Sequence, residues 1–119
     1  MKTNYEFDLI GKFKTLIRRG MIYAQYAHDN IFNGETENIV ALHYLNVATS
    51  KFSAAEALYY SHYEDLQREE AEELFRLFDV FMSEVLRNVR TNHSHQWSDI
   101  EFIRLKECFD SSTFAFENN

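Results

Sequence analysis

The sequence predicts an all-α fold, an antiparallel four-helix bundle built as a single domain over residues 1–119. Three observations predict it. Apolar residues recur at three- and four-residue steps along four long stretches, the spacing that gathers them on one helical face. The chain has no proline and only three glycines, so little punctuates it into strands or tight turns. Hydrophobic residues make up 45% of the chain, with eleven Phe and seven Tyr, enough to build a core largely from rings.

The first helix is expected from about Tyr5 to Phe32. Thr3-Asn4-Tyr5-Glu6 has the capping-box pattern, in which hydroxyl and carboxylate each satisfy an orphan backbone amide. Leu9, Phe13, Leu16, Ile17, Ala24 and Ala27 form its inner face, and Asn33-Gly34 supplies a left-handed stop. The second helix runs from about Glu37 to His62, with Val40, Tyr44, Val47, Lys51, Ala54 and Leu58 on one face. Ala48, Ser50, Ser53, Ala54, Ala55 and Ala57 make its middle slim enough for a neighbour to approach closely. The third spans about Leu66 to Val89 or slightly beyond, with Asp65 as its cap. Leu74, Phe75, Phe78, Phe81, Met82, Val85 and Val89 are its buried stripe. The fourth starts at Ser98-Asp99-Ile100-Glu101, the clearest capping box in the chain. It carries Phe102, Ile103, Leu105 and Phe109 before the polar tail Glu117-Asn118-Asn119.

Composition narrows the function classes. Cys108 is the one cysteine, so no internal disulfide forms and nothing favours an oxidising compartment. The N-terminus lacks the apolar core of a signal peptide, and no stretch approaches the ~20 apolar residues of a membrane span. A cytoplasmic protein without membrane attachment is expected. A di-iron bundle would carry Glu three residues before an inward histidine. Those positions hold Gln25, Val40, Tyr59, Arg90 and Asn92, and no His-Glu-x-x-His occurs, so no metal and no cofactor is expected. Cys108 reads as apolar filler in the fourth helix. His28, His43 and His62 read as surface or boundary histidines, and the Tyr23/Tyr26 and Tyr59/Tyr60/Tyr63 groups as packing rather than base-stacking surfaces. Lys12, Lys14, Arg18 and Arg19 form a basic patch that either contacts a phosphate backbone or pairs with the acidic start of the third helix.

The formal net charge is −7, which runs against the basic face of a protein that grips long nucleic acid. The acid is concentrated at Glu64, Asp65, Glu69, Glu70, Glu72 and Glu73. Such a run complements a helix dipole as a solvated face, or else docks a basic partner, in which case Glu69, Glu70, Glu72 and Glu73 are the contact residues.

The remaining feature is the run from Leu86 to Trp97, which sets two arginines and two histidines at the junction of the last two helices. Arginine holds phosphate through a planar fork of donors, and histidine trades protons near neutral pH. In RNA cleavage the 2′-hydroxyl is the nucleophile. The enzyme need only supply a base, an acid and positive charge for the phosphorane. A polar interhelix loop whose arginines pair with acidic faces is the bland alternative.

The run resembles the signature of the HEPN (higher eukaryotes and prokaryotes nucleotide-binding) superfamily, whose fold is a small antiparallel four-helix bundle. That signature is an arginine, usually followed by Asn, Asp or His, then a histidine after four to six intervening residues. Arg87 through His93 matches with five intervening residues and Asn88 in the polar slot. Arg90 through His95 matches with four, and Trp97 stands where a family variant has tyrosine. Only one frame can operate, and Arg87 with His93 is preferred because Asn88 fits the slot better than Thr91. The resemblance implies a metal-independent endoribonuclease, of toxin or antiviral-defence type, with Arg87 and His93 catalytic. Asn88, Arg90 and His95 would be auxiliary. It also implies a homodimer through the third and fourth helices, an RNA substrate, and a protein partner such as an antitoxin or host factor. The alternative is a non-catalytic helical interaction protein, a phage or mobile-element factor or an inert HEPN-like module, docking a partner through the acidic surface.

Overall fold

Each long apolar repeat becomes a helix. The computed structural model describes residues 4–31, 35–91 and 96–115. Within them the chain is all-helical: α1 (Asn4–Asn30), α2 (Glu35–Ser61), a four-residue α3 (Tyr63–Leu66), α4 (Glu69–Thr91) and α5 (Gln96–Asp110). A single 3-10 turn, Thr113–Ala115, follows. The expected cap at Thr3, the stop at Asn33-Gly34 and the tail from Glu117 lie outside the described residues.

The core is built from rings. Phe13 of α1 is fully buried and meets Tyr59 of α2 at 5.5 Å, Phe75 of α4 at 6.3 Å and Phe114 of the terminal turn at 5.6 Å. Phe52 of α2 stacks on Phe78 of α4 at 4.2 Å, and Phe81 of α4 meets Phe102 of α5 at 5.4 Å. Toward the other end of α1, Tyr23 stacks on Tyr44, so α1 and α2 form a hairpin whose helices run in opposite senses. Close approach in this hairpin depends on Gly20, where a Cβ would fall 2.7 Å and 2.8 Å from ring atoms of Phe52. The small residues of α2 contribute less evenly than expected. Ala48 and Ala55 are buried, whereas Ser50, Ser53, Ala54 and Ala57 are exposed.

Three sequence expectations change. The inner face of α2 is Ala41, Leu45, Ala48, Phe52, Ala55 and Tyr59, one residue beyond the expected stripe. Its steps of four and three meet no charge, and it carries the two bulky rings that fill the core, whereas the expected stripe contains Lys51. The third expected helix is two. Gln67 takes an extended conformation (φ −50°, ψ 125°) after Leu66 is buried, so Asp65 lies inside α3 and caps nothing in α4. Tyr59 instead serves the start of α4: its phenol oxygen accepts the Arg68 N–H at 3.1 Å and donates to Glu72 at 2.6 Å. Ile103, expected inside, is 53% exposed, because Phe102 and Leu105 set the buried side of α5. The stripes of α1 and α4 match expectation, with Leu16, Met82 and Val89 at their half-buried margins.

Among the described residues no helix is long and apolar enough to cross a membrane.

Candidate functional site

The last two turns of α4 put adjacent residues in opposite surroundings, since each helical step rotates the side chain by about 100°. Asn88 lies on the side of Phe81 and Val85, facing α5, and is buried. Its Nδ2 donates to the Ser98 hydroxyl at 2.9 Å, and Ser98 is fully buried in the first turn of α5. This bond clasps the end of α4 to the start of α5. Ser98, expected as a cap, thus sits inside the helix and accepts from α4.

Arg87, one step round, is exposed, with Nη2 3.4 Å from Glu84 one turn earlier. An exposed pair at that distance contributes little stability and leaves the guanidinium close to water. Arg90 is exposed in the final turn, where a cation complements the helix dipole. Trp97 stands exposed at the start of α5. His93 and His95 lie outside the described residues.

A third helix reaches this corner by a contact with no sequence signal. The His28 imidazole, near the end of α1, donates from Nε2 to Asp99 at 2.8 Å, since a carboxylate can only accept. The ring also stacks on Phe102 with centroids 4.4 Å apart and planes 10° from parallel. His28 and Asp99 are 71 positions apart, and neither periodicity nor local motif pairs them.

The acidic set occupies the other end of α4. Glu72 is fifteen residues before Arg87, about 22 Å along a helix. Three of its four carboxylates have work inside the chain. Glu70 accepts from the Thr113 amide at 3.2 Å and from the Thr113 hydroxyl. Glu72 accepts a hydrogen bond from the Tyr59 hydroxyl, and Glu73 pairs with Arg76 at 2.6 Å, which holds its carboxyl below the usual range. Glu69 is exposed. Cys108 is half-buried nearby. Burial, then the Glu73 and Glu70 charges, push its thiol up, the opposite of an activated thiolate. The basic patch of α1 also divides, because Arg18 donates from Nε to the Phe114 carbonyl at 2.7 Å.

No family model matches the chain, and no curated protein or solved structure does either. Among the described residues no three of His, Cys, Asp and Glu gather as metal ligands would. Among its described residues the corner presents two solvent-facing guanidiniums, Arg87 and Arg90, the paired His28 imidazole and the exposed Trp97 indole.

Proposed function

We propose that this chain is a HEPN-like endoribonuclease, an antiparallel four-helix bundle that cuts RNA at the α4–α5 corner without a metal. One observation carries the reading: Arg87 and Arg90, one turn apart on the solvent face of α4, stand beside the buried Asn88–Ser98 bond, which fixes the backbone that presents them. Asn88 then serves the site by holding the corner and not by touching substrate. His93 takes the proton of the ribose 2′-hydroxyl as that oxygen bonds to phosphorus. In a homodimer a second imidazole protonates the departing 5′-oxygen, and Arg87 neutralises the charge gathered on the phosphorane. The products are a 2′,3′-cyclic phosphate and a 5′-hydroxyl. Docking of a basic protein on Glu69, Glu70, Glu72 and Glu73 has less support, because three of the four already serve bonds within the chain.

The test is cleavage of mixed RNA by purified protein in EDTA. Wild type should release cyclic-phosphate ends, and Arg87→Ala and His93→Ala should each cut at least about 100-fold more slowly. His95→Ala, compared with His93→Ala, identifies the operating frame. Unchanged cleavage by both histidine variants would exclude this mechanism.

A further inference from the structure

The stripe of α2 that misses the core borders α1 at two places, Tyr44 near one end and Ala54 with Leu58 near the other, and the seam between them is the α1–α2 groove. At one end of the groove Tyr44 stacks on Tyr23 at 6.1 Å and meets Tyr26 at 5.2 Å, with Tyr26 itself 45% exposed. At the other end lies an open cavity of about 900 Å³ whose lining includes Lys12, Thr15, Leu16, Ala54 and Leu58, with Asp8 as its acid. Helical spacing sets two more cations between these ends: Arg19 one turn before Tyr23, and Lys51 one turn before Ala54. Lys12, Arg19 and Lys51 form no ion pair with any described residue. In a chain of net charge −7 this is a local cationic strip ending in exposed rings.

A polyanion is repelled by most of an acidic surface and settles where cations and aromatic faces alternate, since phosphates take the first and bases stack on the second. From Lys12 to Tyr26 is fourteen residues, about 21 Å of helix, a length suited to roughly four nucleotides. The tyrosine end is also the end that reaches the corner, because His28, two residues after Tyr26, bonds to Asp99 of α5.

We propose that the α1–α2 groove binds single-stranded RNA, with Tyr26 as a stacking surface and Lys12, Arg19 and Lys51 as phosphate contacts. The proposal rests on the RNA reading above and adds a binding track separate from Arg87 and His93.

Fluorescence anisotropy of a labelled oligouridylate with the full-length His93→Ala protein in EDTA tests it. Tyr26→Ala should weaken binding about tenfold. The triple variant Lys12→Glu, Arg19→Glu, Lys51→Glu should weaken it at least about 100-fold, and flatten the log–log salt dependence by about 2. A control with the same charge change elsewhere, Arg76→Glu, Arg104→Glu, Ser83→Glu and Ser111→Glu, should weaken binding far less. Circular dichroism melting confirms that each variant is folded. Equal losses in the groove triple and the control, or groove variants that bind like their parent, overturn the groove. So does a parent that binds nothing at about 100 µM, the weak edge of non-specific affinity. If the groove variants lose binding while wild type cuts no RNA, the nuclease reading fails and the groove stands.

Discussion

The two ends of α4 carry opposite charges and use them in opposite ways. At its start the carboxylates bond within the chain: Glu70 holds the terminal turn through Thr113, Glu72 holds the Tyr59 phenol, and Glu73 pairs with Arg76 at the surface. At its finish the neutral Asn88 does the structural work, and both arginines are left at the surface. A carboxylate whose bonds hold another element in place is poorly placed to recognise anything else, whereas a guanidinium at the surface beside a rigid neutral bond, in a weak solvated pair such as Arg87 with Glu84, is better placed. The comparison teaches that density of charge in a sequence is a weaker guide to function than what each charge touches.

Four substitutions probe that contrast. The largest effect is expected at the basic end: Asn88→Ala leaves the buried Ser98 hydroxyl unpaired and should cost about 2–3 kcal/mol. Thermal denaturation should then show Tm lowered by roughly 10 °C, with RNA cleavage falling alongside. A stable Asn88→Ala protein would remove the idea of a clasped corner. At the acidic end, Tyr59→Phe removes the donor to Glu72 and the acceptor for Arg68 N–H, costing about 1–2 kcal/mol in urea unfolding. This change also has a pH signature. Burial, and next the Glu72 hydrogen bond, push the Tyr59 phenol up to about 12. An unfolded tyrosine ionises near pH 10, so between about pH 10 and 12 the unfolded chain sheds a proton that the native chain keeps. Native stability therefore falls as pH rises through that window, and Tyr59→Phe should flatten the fall. Thr113→Val, which loosens the exposed Glu70 hook, should cost about 0.5–1 kcal/mol and leave the RNA assays unchanged. Smallest of all, Arg76→Ala breaks only a surface pair and should move Tm by no more than about 1 °C.

How far the chain could be read in advance depends on how one-sided each helix is. The stripes of α1 and α4 were legible because their other faces are mostly polar, with only Ile22, Tyr26 and Leu86 as large exposed apolar residues among the described residues of the two helices. In α2, two apolar stripes run side by side one residue apart, and periodicity does not choose between them until Phe52 and Tyr59 meet their partners. The break at Gln67 carries neither glycine nor proline, so no local signal announces it. At the corner, composition exposed the arginines, but the burial of Asn88 between them follows only from α5 packing alongside. The His28–Asp99 bond was beyond reach for the same reason, being made by two helices that the chain brings together only on folding.

The notch at Gly20 ties two positions of the hairpin together in their history. Phe52 lies between that notch and Phe78, so a methyl group at residue 20 forces its ring to shift against the Phe78 stack. Enlarging residue 20 alone crowds Phe52 and shrinking Phe52 alone leaves a core cavity, so the two positions tolerate change best together.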